Sequence, residues 1–66
     1  MRVKRVTRHD YEVHARDASS GKPQILRFTV TDRVYVGRGG WWEPAGPVDG
    51  TVYETLRKLT RSHGFV

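Results

Sequence analysis

Three short runs in this chain alternate apolar with polar residues at period two, and that alternation narrows the choice of folds more than any other feature. Tyr11, Val13 and Ala15 alternate with Glu12, His14 and Arg16; Leu26, Phe28 and Val30 with Arg27, Thr29 and Thr31; Val34 and Val36 with Arg33, Tyr35 and Gly37. Successive side chains of a strand point to opposite faces, so each run reads as a strand with one apolar side. Three such strands make a sheet that must be covered on one face only.

Parity restricts how the strands connect, because directly opposed residues of an antiparallel pair share a face. The first run uses odd-numbered apolar residues and the second even-numbered ones, so the loop between them needs an even number of residues. Ser19-Ser20-Gly21-Lys22 or the longer Ala18 to Pro23 satisfies this. The second and third runs share parity, and a three-residue turn Thr31-Asp32-Arg33 sets Val30 opposite Val34 and Phe28 opposite Val36. Arg33 would then sit near the left-handed region, where glycine is the usual choice.

The cover is a C-terminal helix over residues 51–63. Thr51-Val52-Tyr53-Glu54 is a capping box, in which threonine and glutamate satisfy each other's orphan amides. Val52, Leu56, Leu59 and His63 form one stripe with Tyr53 and Thr60 beside it, while Glu54, Arg57, Lys58 and Arg61 face away. Gly64 is placed to close the helix in a left-handed conformation, with Phe65 folding back onto Leu59 or Thr60. The expected fold is therefore α+β: a three-stranded antiparallel sheet with one helix across one face, in the order β-β-β-α. Residues 1–66 form one small domain, in which residues 1–9 are a basic N-terminal arm or an extension of the first strand. Residues 37–50 are a Gly/Pro-rich loop.

Composition bounds the rest. With 66 residues and no cysteine, there is room for one core and no disulfide or thiolate site to support it. No apolar run is long enough to span a membrane, and the first residues lack a signal peptide's apolar stretch, so a cytoplasmic protein without membrane contact is expected. Twelve basic residues against seven acidic ones give a net charge of +5, and arginine predominates over lysine. Arginine suits bidentate contact with phosphate or carboxylate, although a GC-rich genome would also favour it.

The sheet face away from the helix would carry Glu12, His14, Arg16, Ile25, Arg27, Thr29, Arg33 and Tyr35. A basic, hydroxyl-rich and part-aromatic sheet can meet nucleic acid through guanine edges, phosphates and stacked bases. The candidate binding residues are Arg5, Arg8, His14, Arg16, Arg27, Arg33, Tyr35, Arg38 and Trp41, with DNA favoured over RNA. Any exposed antiparallel face needs polar residues, so the same set also fits an ordinary solvated surface. The other functional reading is a protein-binding inhibitor or adaptor that offers the Trp41-Trp42 loop and its arginines to an acidic partner, since Trp, Tyr and Arg dominate interface hot spots. A monomer or weak homodimer is expected in either case.

The basic start, the strands around Ser20-Gly21-Lys22 and the C-terminal helix together resemble the small arm-binding domains that open some phage and transposon integrases. That resemblance is one of element order; the loop from Gly37 to Gly50 is longer than the pattern and its aromatic motifs do not align, so it assigns no residue a role. No enzyme is expected. His9, His14 and His63 lack metal-ligand spacing, and Gly37-Arg38-Gly39-Gly40-Trp41-Trp42 starts like a dinucleotide fingerprint but has Trp42 at the third glycine position. Ser19 and Ser20 have no base placed beside them. Neither a metal nor a cofactor is indicated. One tryptophan is expected to pack and one to show, with Trp42 continuing the Val34 and Val36 face and Trp41 joining Arg33 and Tyr35.

Overall fold

The computed structural model describes residues 1–66. Five strands and one helix follow in order: β1 (Arg2–Arg5), β2 (Asp10–Arg16), β3 (Pro23–Val30), β4 (Val34–Arg38), β5 (Trp41–Gly46) and α1 (Val52–Ser62). The strands form one antiparallel meander in sequence order, with α1 against one face. The α+β class and the C-terminal helix match the reading of the sequence, but the sheet has five strands where three were expected. Its element order also departs from the three-stranded integrase pattern.

Both added strands lie at the edges. Residues 2–5, read as an arm or a strand extension, form a separate strand that pairs Val3 with Val13 and Arg5 with Tyr11. Its sequence carries one apolar residue among basic ones, which is how edge strands resist further pairing. The connection to β2 is tied down locally. Arg5 donates from Nε to the Thr7 carbonyl and from Nη2 to the Arg8 carbonyl, both at 3.2 Å, and the Thr7 hydroxyl donates to Asp10 at 2.7 Å.

The supposed loop from Gly37 to Gly50 begins inside β4 and contains β5. Gly39 and Gly40 both have positive φ, 52° and 85°, and Arg38 pairs with Trp41. A two-residue hairpin turn with both central residues in that region matches the right-handed twist of its strands. Pro44 is tolerated because β5 is an edge, and Ala45 is an extra residue between the pairs Tyr35–Pro44 and Val34–Gly46.

The two other turns keep the expected parity. Arg16 pairs with Pro23 across a six-residue loop, and Val30 pairs with Val34 around Thr31-Asp32-Arg33. Arg33 nonetheless stays out of the left-handed region, because no residue other than glycine has positive φ. The turn closes through an amide of Thr31 donating to the Arg33 carbonyl at 3.0 Å.

The core is Tyr11, Val13, Ala15, Phe28, Val34 and Val36 from the sheet and Leu56 from the helix. Leu26, Val30, Val52, Leu59 and Phe65 pack around it, and Tyr53 meets Tyr11 edge-on at 6.0 Å between ring centroids. Thr51 and Glu54 form the anticipated capping box. Thr55 is also buried, its hydroxyl accepting from the Asp49 amide at 2.9 Å and lying 2.7 Å from the Asp49 carbonyl. At the far end the Gly64 amide reaches Arg61 and the Phe65 amide reaches Thr60, the paired bonds of a Schellman cap. The tail then joins the sheet: Arg16 and Val66 exchange two backbone bonds of 2.8 Å. This continues the edge of β2 beyond the end of β1. The helix is too short and polar to cross a membrane.

Candidate nucleic-acid interface

Alternation and register together decide what the uncovered face displays. One row crosses all five strands as Lys4, Glu12, Arg27, Gly37 and Trp42. Beside it run Arg2, His14 and Ile25 on one side and Asp10, Thr29, Tyr35 and Pro44 on the other. Four of the candidate residues, His14, Arg16, Arg27 and Tyr35, share this face, and Arg33 lies in the turn at its edge.

The remaining candidates lie elsewhere. Arg5 is opposite Tyr11 on the helix side, and its guanidinium is occupied by the β1–β2 connection. Arg8 is exposed within that connection. Arg38 and Trp41 pair with each other on the helix side of the sheet, at the hairpin tip. The assignment of the two tryptophans to faces is thus reversed. A two-residue turn changes the parity of the chain, so Trp42 joins Gly37 and Tyr35 on the open face and Trp41 goes to the other side. Neither is core, since Trp41 is 75% and Trp42 52% exposed.

Trp42 organises the open face. Its ring lies over Gly37, so close that a methyl group there would stand 3.2 Å from Cζ3. Three cavities border this one side chain. The first, about 310 Å³, is lined by Thr29, Thr31, Tyr35 and Trp42. A second, about 240 Å³, lies toward β2 and β3 and includes Asp10, Glu12 and Arg27. The third, also about 240 Å³, reaches along the hairpin to Arg38 and Trp41. The list of candidates read from the sequence omitted Trp42, although the Gly39-Gly40 doublet was the signal that would have placed it.

The charges on this face are partly committed. Asp10 accepts from Thr29 at 2.6 Å and from Thr7 at 2.7 Å, and these two hydroxyls hold its carboxyl below the usual aspartate range. Its charge thus serves the sheet's own packing. Arg16 is anchored too, donating to the Gly21 carbonyl at 2.9 Å. Glu12 is 26% exposed and has one oxygen, Oε1, 3.3 Å from His14 Nε2. Arg27, Lys4 and Arg2 make no ion pair or side-chain hydrogen bond, which leaves them open to a ligand. No group of His, Asp and Glu is placed to hold a metal ion.

Comparison with protein-family models, curated proteins and solved structures finds no match.

Proposed function

We propose that the open sheet face binds single-stranded nucleic acid, with bases stacked on Trp42 and Tyr35 beside Arg27 and the backbone followed by Lys4 and Arg2. The observation that carries this reading is the position of Trp42: a half-exposed indole seated on a glycine, with cavities on several sides and the unpaired Arg27 lining one of them. An aromatic platform within basic surroundings accepts any base through its π face, and stacking contributes about 1–3 kcal/mol per base.

The width of the sheet favours a single strand over a duplex. Five strands at about 4.8 Å spacing place β1 and β5 some 19 Å apart. A major groove is about 12 Å wide and admits a helix or a two-stranded ribbon, so this face cannot enter one as a whole. Residues 2–5 are also paired with β2 rather than free as an arm.

Titration of single-stranded oligonucleotides at low salt, read by tryptophan fluorescence, tests the proposal. Trp42→Ala should weaken binding by at least about five-fold, as the loss of one stacked base implies, while Trp41→Ala leaves it unchanged. The second reading, an acidic protein partner, draws on the exposed Trp41 beside Arg38. It requires the opposite ranking of the two variants.

A further inference from the structure

We infer that the cavity between Trp42, Glu12 and Arg27 selects guanine among the bases of a bound strand, an inference that rests on the nucleic-acid reading above. Its volume of about 240 Å³ lies below the roughly 300–1,000 Å³ of pockets for drug-sized ligands, which suits one planar ring system rather than a whole nucleotide.

The polar groups of this cavity have a definite order. Glu12 and Arg27 are directly opposed across β2 and β3, which places their Cβ atoms roughly 5 Å apart on the same face. They do not form an ion pair, and Arg27 has no hydrogen-bond partner. Glu12 is oriented by His14 through Oε1, and Oε2 has no partner in the protein. Asp10, the other carboxylate in the cavity, already accepts from two hydroxyls. The groups open to a base are therefore one acceptor and one forked donor, side by side, next to an indole.

Guanine has the complementary groups on two adjoining edges. Its N1–H and exocyclic N2–H₂ are adjacent donors for the free Oε2, while O6 and N7 accept from a guanidinium. Adenine and cytosine each offer a carboxylate one amino group, adenine's between N1 and N7 and cytosine's between N3 and C5–H, so neither presents two adjacent donors. Thymine and uracil offer one N–H between two carbonyls. A carboxylate on a surface that must attract phosphate opposes general affinity, so Glu12 acts through which base it accepts from.

The test uses the full chain with Trp41→Phe, so that Trp42 alone reports. Four seven-nucleotide DNA strands are titrated: all thymidine, and thymidine with a central guanine, adenine or cytosine. The guanine strand should bind about ten-fold more tightly than the others, within the discrimination expected of a bidentate pairing. Glu12→Gln should remove most of that preference while keeping affinity for the thymidine strand. Arg27→Lys, which retains charge without the fork, should reduce the preference independently. Equal affinity for all four strands overturns the guanine assignment and leaves single-strand binding standing. Absence of binding to every strand overturns both. Persistence of the preference in both variants assigns it to other residues and also overturns the inference.

Discussion

A side chain at position 37 would meet Trp42: the three ring atoms nearest to a Cβ built on Gly37 lie 3.2, 3.3 and 3.4 Å from it. Gly37 has an ordinary strand conformation, so its lack of a side chain serves the indole above it rather than the backbone. The cross-strand pair is thus a seat and an occupant, and it fixes the ring that the proposed function depends on.

Gly37→Ala separates these contributions. Alanine is favoured over glycine in a strand by roughly 0.5–1 kcal/mol, and the displaced indole loses packing of similar size. The variant should melt close to the parent while its Trp42 emission, recorded with Trp41→Phe, shifts toward that of a solvated indole. Oligonucleotide affinity should fall with it. An unchanged emission spectrum would show that the seat does not control the ring.

Salt dependence reports on the cations. If Lys4 and Arg2 each neutralise one phosphate of a single strand, log K against log salt has a slope of about −1.4, since each contact contributes roughly −0.7. Replacing either with alanine should reduce the slope by that amount. Arg5→Ala and Arg38→Ala, on the other side of the sheet, should leave it unaltered.

Acid should weaken the fold through two aspartates. Hydrogen bonds from Thr29 and Thr7 to Asp10, and from the Ser20 and Ser19 amides to Asp17, hold both carboxyls below their unfolded values. A lowered folded pKa gives stability that is complete above the unfolded value near 4 and is lost as pH falls through the folded one. Thermal melts from pH 6 to pH 2 should show this decline in the parent. It should be shallower in Asp10→Asn and Asp17→Asn.

Leu56→Ala tests how close the domain stands to its stability limit. Leu56 is fully buried and is the helix's contribution to the central core. Truncation of such a leucine costs about 2–5 kcal/mol, against a total of about 3–10 kcal/mol for a chain of this length. Chemical denaturation should give a midpoint reduced by at least about a fifth, and unfolding at ambient temperature is within the expected range.

Strands β2, β3, β4 and the helix were legible because their apolar residues recur at the period of the element that holds them. The Thr31-Asp32-Arg33 pairing followed from parity, and the Thr51–Glu54 cap followed from spacing. Strands β1 and β5 are edges with no such period: Val3 is isolated among basic residues, and β5 combines Pro44, Gly46 and an inserted Ala45. The basic open face was read from alternation, but its centre was missed. Carrying parity straight through Gly39-Gly40 assigned Trp42 to the wrong side, and recognising the doublet as a two-residue hairpin would have corrected it.

The tail that joins Val66 to Arg16 brings both chain ends to one corner, where Met1 and Val66 border the same cavity with Ile25 and His14. A short linker would therefore join the ends, and new ends can be opened in the exposed Ala18–Lys22 segment without cutting a strand. The same proximity makes that corner a poor attachment point. A bulky tag on either end would shade the Ile25 side of the sheet, whereas a label on the helix's outer face would leave the whole interface clear.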